Sequence, residues 1–125
     1  MAVSNYRSLQ ALVAGADLTG AYACAVKLGT DPNTAILSTA SAGTIGIVIE
    51  AAPQGGVLGV CCEQGVKVPA RVSAAVAVGG LVAVNTDGRF KPATSGDMAV
   101  GVAEEAATAA DQIITIVYTP SGTVA

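Results

Sequence analysis

The stretch that decides the fold reads Leu81-Val-Ala-Val-Asn-Thr-Asp-Gly-Arg-Phe-Lys-Pro-Ala-Thr-Ser-Gly-Asp-Met-Ala-Val-Gly-Val-Ala-Glu-Glu-Ala-Ala107, and after a polar loop it continues as Ile113-Ile-Thr-Ile-Val-Tyr118. Its apolar runs are short and rich in Val and Ile, and turn residues interrupt them at regular intervals. The pattern predicts a strand, a tight turn, a strand, a Ser-Gly-Asp turn, a strand, a loop and a final strand.

An earlier part of the chain repeats this pattern. Asp87 lies 56 residues after Asp31, and the motif Gly-x-x-x-Glu-Ala-Ala that begins at Gly101 also occurs 55 residues earlier. A nearly constant separation over several turn and strand signals indicates an internal duplication. We place the two copies at about residues 26–60 and 84–117.

The segment between the copies reads as one further strand. In Gly65-Val-Lys-Val-Pro-Ala-Arg-Val-Ser73 apolar residues alternate with polar ones, which is typical of a half-buried strand. Its outer side carries Lys67 and Arg71, and Pro69 predicts an edge position or a bulge. Ala and Glu favour a helix over Ala99 to Ala110, but the matching copy is rich in β-branched residues, so we predict a strand there too.

These observations predict a mainly β chain, a small β-barrel or sandwich built from an internally duplicated strand-turn-strand unit. Residues 1–20 form an N-terminal arm in this interpretation, residues 21–120 a single β domain, and residues 121–125 a C-terminal tail. Within the arm, Ser8 to Ala14 is compatible with one or two helical turns that end at Gly15.

The composition indicates a subunit of a larger assembly. Apolar residues make up 52% of the chain but aromatic residues only 3%, so each buried side chain removes little area from water. Charged residues make up 12%, and the mean hydropathy is +0.61. Such a surface predicts burial against partners.

The apolar runs stop at strand length, which argues against a membrane span or a secretory signal and for folding in a cytoplasm. A net charge of −3 argues against a nucleic-acid partner.

The residue types needed for common catalytic and metal sites are missing. The chain has no histidine, which excludes histidine triads, Cys-His dyads and histidine-containing metal sites. Cys24, Cys61 and Cys62 lack the Cys-x-x-Cys spacing, and adjacent residues on a strand point to opposite faces. We therefore predict no catalytic, cofactor-binding or metal residue and no enzyme activity. An enzyme would require a reactive thiol at Cys61 or Cys62.

Four motifs carry a resemblance that covers over half of the chain: Gly46-Ile-Val-Ile-Glu-Ala-Ala, Gly65-Val-Lys-Val-Pro, Ala75-Val-Ala-Val-Gly-Gly-Leu-Val with Asn85-Thr-Asp-Gly, and Val100-Gly-Val-Ala-Glu-Glu-Ala-Ala. Together they resemble the capsid cement, or head decoration, proteins of tailed bacteriophages. Ala110-Asp-Gln and the closing Tyr118-Thr-Pro-Ser-Gly are similar to the decoration protein of lambdoid phages.

The resemblance implies a virion protein that binds the exterior of the expanded capsid, stabilises it by bridging subunits of the major capsid protein, and assembles as a homotrimer without a cofactor, nucleic acid or membrane. Seven residues are the candidate contacts with the capsid or a neighbouring subunit: Val3, Tyr6, Arg7, Leu9, Leu12, Lys67 and Arg71. The alternative is a non-enzymatic carrier or small-ligand-binding β module, since Val-Lys67-Val is similar to the modified lysine of lipoyl and biotinyl carriers, although it lacks their acidic or Met neighbour.

Overall fold

A computed structural model describes residues 9–124, and it contains ten β-strands and no helix within that range. The strands are β1 (Gln10–Ala14), β2 (Ala25–Leu28), β3 (Thr34–Leu37), β4 (Thr44–Glu50), β5 (Val57–Cys61), β6 (Val66–Arg71), β7 (Leu81–Val84), β8 (Phe90–Pro92), β9 (Gly101–Ala103) and β10 (Ile113–Tyr118). The predicted β class is confirmed, and the strand-turn-strand order predicted from Leu81 to Tyr118 is that of β7 to β10.

The first five strands, here the first unit, form a closed barrel in the order β1-β3-β2-β4-β5. β1 closes it by pairing antiparallel with β5 and parallel with β3. The last five strands, the second unit, form a sheet in the order β6-β10-β9-β7-β8. Read in the other direction around the closed barrel, the first order is β1-β5-β4-β2-β3, and it matches the second strand for strand when β6 takes the place of β1. The duplicated unit therefore has five strands.

The pairing register of the first unit recurs in the second. Val26 pairs with Gly46 on one side, and Val82, 56 residues later, pairs with Gly101. The strand that precedes each copy also matches, because β1 and β6 both run antiparallel to the last strand of their unit. The repeat therefore extends on its N-terminal side beyond the predicted copies, residues 26–60 and 84–117.

Two apolar clusters fill the structure. One lies inside the barrel and consists mainly of Ala, Val and Leu side chains. The other contains the inward side chains of the second unit, including Phe90, together with Ala25, Ile47 and Cys61 of the first unit. Because these three side chains are fully buried there, the two units share one core.

The second unit is open because backbone of the first unit occupies the place of closure. In the barrel, the Val13 N–H donates to Asn33 O at 2.8 Å. The equivalent N–H in the second unit, that of Arg71, donates instead to Ala23 O of the first unit at 2.9 Å. Only an isolated parallel bridge between Val72 and Phe90 then joins β6 to β8.

Three details differ from or refine the sequence interpretation. The helical turns predicted over Ser8 to Ala14 are wrong for residues 10–14, which form β1 because their carbonyl and N–H groups pair with β5. The C-terminal residues up to Val124 are bound to the second unit, since Val124 N–H donates to Asp97 O at 2.7 Å. The edge position predicted from Pro69 is confirmed, because β6 ends its sheet.

Candidate interaction site

The structure separates the two cations that the sequence places on β6. Lys67 is on the outer face of the second unit, where its Nζ lies 3.3 Å from Glu104 Oε2. Arg71 is at the junction of the two units, and its Nε donates to Tyr22 O at 3.3 Å. Lys67 therefore lies in an ion pair at the rim of an outer surface, whereas Arg71 holds the first unit.

The remaining predicted contact residues are close to the start of the described chain. Leu9 is half-buried and packs against the shared core, and Leu12 is half-buried against the core of the barrel. Both therefore stabilise the fold before any partner binds. Val3, Tyr6 and Arg7 lie outside the described residues, and their contact role stays a prediction.

A cleft of about 540 Å³ lies between the units. At its charged side, Arg89 makes ion pairs with Asp87 at 2.7 Å and with Asp111 at 2.8 Å. The hydrogen bond from Arg89 lowers the pKa of Asp87. Because Arg89 pairs with both carboxylates, it links the β7–β8 turn to the loop before β10.

The thiols are not activated. Burial raises the pKa of Cys24, Cys61 and Cys62, so all three are protonated at neutral pH and are poor nucleophiles. Cys61 lies in the shared core whereas Cys62 packs against the barrel core, as expected for adjacent residues on a strand. Among residues 9–124, no three Cys, Asp or Glu side chains are placed to hold a metal ion.

The acidic residues act in turns and at strand edges. Asp97 Oδ2 accepts from Thr94 N–H at 2.9 Å, and this hydrogen bond lowers the pKa of Asp97. Glu105 Oε1 accepts from Thr115 N–H at 2.8 Å, whereas the neighbouring Glu104 pairs with Lys67. Neighbouring carboxylates thus have different partners, which does not suit paired acid–base catalysis.

Most of the large apolar side chains that are exposed within residues 9–124 lie at two places. The open face is the outer surface of the second unit formed by Val78, Leu81, Val102 and Val117. The free end is the end of the first unit formed by Val13, Leu28, Asn33 and Val57. The sequence analysis identified neither surface. The repeat offset was a usable signal, because it places the large Leu81 at the position that the small Ala25 has in the first copy.

No family model matches the chain, and no curated protein matches it. Among solved structures, the chain is similar to the N base of the head fiber protein gp8.5 of bacteriophage phi29, with a TM-score of 0.71 and 17% sequence identity over 100% of both chains. The two chains share a fold. Within residues 9–124, no helix is long and apolar enough to cross a membrane.

Proposed function

We propose that this chain is a structural protein of a bacteriophage virion and is carried on the head. The observation that supports this role is the fold likeness to the phi29 head fiber base, which extends over the whole length of both chains. The sequence motifs that resemble phage decoration proteins support the same class of function independently. In this role the chain acts by binding and without catalysis.

The finer proposal is that the chain binds the outer surface of the capsid, bridges subunits of the major capsid protein and stabilises the expanded head, with self-association as a homotrimer. The self-association is supported by the exposed apolar surface at the open face and at the free end, because a monomeric protein rarely leaves large apolar patches in water. The capsid contact is supported by the motifs that resemble phage decoration proteins. Many identical contacts on one shell add up to a large stabilisation even when each contact is of ordinary size.

A second candidate within the same class is the base of a head fiber. The likeness to the phi29 head fiber base over the full length of both chains favours this candidate. The two candidates differ in that a fiber base would carry a further assembly, whereas a cement protein would not. The carrier alternative gains no support. Lys67 lies inside β6, where it pairs with Val117, rather than at an exposed turn.

The test is to bind the purified chain to expanded heads of a phage that encodes it. We expect co-sedimentation with the heads at a fixed stoichiometry and a higher melting temperature of the decorated heads. Unexpanded proheads serve as the control. If the chain fails to co-sediment with expanded heads, the proposed function is wrong; binding without any rise in melting temperature would favour the fiber base over the cement protein.

A further inference from the structure

Equivalent faces of the two units have different surroundings. In the first unit, Ala25 pairs with Ile47 and Ile47 with Cys61, so the three side chains share one outward face. All three are fully buried because they pack into the core of the second unit. This row is the surface by which the first unit docks on the second.

The second unit carries the same row, and no other segment of residues 9–124 covers it. Leu81 pairs with Val102 and Val102 with Val117, in the register of the row in the first unit. Yet Leu81 is 44% exposed, and the other two side chains are half-buried. Val78, which corresponds to Tyr22 at the junction, is 66% exposed. The docking surface of the first unit thus recurs as the open face.

The composition of the open face suits a protein partner. Its centre is apolar, and the Lys67–Glu104 ion pair lies beside Val117 and Val102 at its rim. In the first unit the position of Lys67 is taken by Leu9, which packs against the shared core. An apolar centre with a charged rim is the usual anatomy of an interface between folded subunits.

The positions of the second unit that hold the first unit have equivalents in the first unit. In the second unit, three positions hold the first unit: Arg71 N–H donates to Ala23 O at 2.9 Å, Gly88 O accepts from Ala25 N–H at 2.8 Å, and Val84 N–H donates to Ser41 Oγ at 2.9 Å.

Their equivalents in the first unit are Val13, Asn33 and Leu28, which belong to the free end. Val84 is 4% exposed under its cover, whereas Leu28 is 59% exposed.

We infer that copies of this chain join head to tail, with the open face of one copy packed on the free end of the next. The template is the contact between the two units within one chain. Of the large apolar side chains exposed within residues 9–124, five belong to these two surfaces: Val13, Leu28, Val57, Val78 and Leu81. Because the first barrel is closed at this end, side chains rather than backbone hydrogen bonds make the contact.

This inference deepens the proposed self-association by naming its surfaces. Two different surfaces meet in a head-to-tail contact, so the assembly closes into a ring when the rotation between copies permits. In a homotrimer of this kind, three contacts between neighbouring chains alternate around the axis with three contacts between the two units of one chain. Six similar units then surround one axis.

The first experiment follows the mass of the isolated full-length chain by analytical ultracentrifugation over a range of concentrations. We expect the wild type to form oligomers, and Leu81→Asp or Leu28→Asp alone to reduce it to monomers, because each places a charge in one half of the contact. An equimolar mixture of the two variants should give dimers and nothing larger. In such a dimer the unaltered open face of the Leu28→Asp chain packs on the unaltered free end of the Leu81→Asp chain. Met98→Asp, at an exposed apolar position outside both surfaces, should leave the wild-type distribution unchanged.

The second experiment covers the case in which an Asp variant does not fold. Leu81→Cys and Leu28→Cys are mixed and treated with a short bis-maleimide, with the wild type as the background for its own thiols. We expect a cross-linked dimer from the mixture and none above background from either variant alone. A dimer from Leu81→Cys alone, or none from the mixture, would overturn the inference.

A wild type that stays monomeric also overturns it. Neither assay contains capsid, so a failure here is distinct from a failure to bind heads.

Discussion

At the scale of single residues, Gly46 and Gly101, which begin the two Gly-x-x-x-Glu-Ala-Ala motifs, have the same steric role. A Cβ at Gly101 would lie 2.6 Å from Val117 O, and one at Gly46 would collide with Cys61 O. Both glycines thus let the central strand of their unit approach the last strand closely. The glycine of the Gly-x-x-x-Glu-Ala-Ala motif therefore recurs because the same close backbone contact recurs.

We expect Gly101→Ala to lower the free energy of unfolding by about 2–3 kcal/mol, since the added methyl group forces two paired strands apart. Chemical denaturation measures the change. Gly20→Ala is the matched control, because a Cβ there meets no atom within 4 Å. Equal stability losses in the two variants would contradict the steric role of Gly101.

Left-handed backbone positions also coincide between the units. Gly79 (φ 80°) corresponds to Ala23 (φ 66°), and Gly88 (φ 82°) to Asn33 (φ 58°). A third equivalent pair is Gly55 (φ 83°) and Asp111 (φ 69°). Each of these three turns thus has a glycine in one copy and a different residue in the other. Backbone geometry is more similar between the copies than residue type.

The Asp87–Arg89 pair predicts a pH dependence of stability. The pKa of Asp87 is lower in the folded chain because of the hydrogen bond from Arg89. The ionised carboxylate therefore stabilises the fold above its unfolded pKa of about 4, and this contribution is lost as pH falls through the lower folded value. We expect Asp87→Asn to lower the melting temperature at pH 7 and to flatten its decline below pH of about 4.

Arg89→Gln tests the same contact from the other side, because it removes the charged guanidinium and leaves the carboxylate. Its melting temperature should fall in the same direction at pH 7, and its pH profile should flatten in the same way. Profiles parallel to the wild type in both variants would show that the pair does not contribute to stability.

At the scale of elements, β1 and β6 have the same place in their units but different outcomes. β1 closes the barrel by pairing with β3 as well as β5. β6 pairs with β10, and its end binds Ala23 of the first unit instead of β8. The same strand thus closes one sheet and, in the other, provides the junction between the units.

The N-terminal segment before β1 can be tested separately from the barrel. Val3, Tyr6 and Arg7 are predicted contacts that precede β1, and we propose that this segment binds the capsid or a neighbouring subunit by strand addition. Residues 10–13 cannot add to another strand in this way, because they already pair with β5. Deletion of residues 2–8 should weaken binding to expanded heads while the melting temperature of the isolated chain stays within about 2 °C of the wild type. Undiminished head binding would show that the β domain alone makes the contact.

A deletion that continues to residue 14 is the matched comparison. It removes the strand that joins β5 to β3, so the barrel loses its closure and the chain should not fold cooperatively. Circular dichroism during heating distinguishes the two deletions. A cooperative transition in the longer deletion would mean that the barrel does not need β1.

At the scale of the whole molecule, the shared core joins the units into one folding body. Ile47 of the first unit is fully buried among side chains of the second, whereas its counterpart Val102 is half-buried on the open face. The two positions are equivalent in the repeat and differ in what covers them. Their comparison measures what the junction contributes.

We expect Ile47→Ala to lower the free energy of unfolding by about 3 kcal/mol, because it leaves a cavity in the shared core. Val102→Ala should cost about 1 kcal/mol or less in the monomer, since its side chain loses little burial. Denaturation at low protein concentration compares them. A similar cost for both variants would mean that the first unit does not pack on the second as described.

The sequence by itself determined the strand class, the turns and the duplication, because short Val- and Ile-rich runs, turn residues and a constant offset are local signals. It also placed Asp87 and Asp97 in turns, where their carboxylates accept backbone hydrogen bonds. It did not determine that β1 belongs to the barrel, since a short apolar segment without a clear period is compatible with helix or strand.

Only the tertiary structure decided which of two equivalent faces is buried. Leu81 and Ala25 are both apolar strand residues, and nothing local distinguishes a covered position from an exposed one. Their difference arises because the first unit packs on the second, whereas no part of residues 9–124 covers the open face of the second unit in turn. Contacts between distant residues determine burial, so the open face and the free end became visible only in the folded chain.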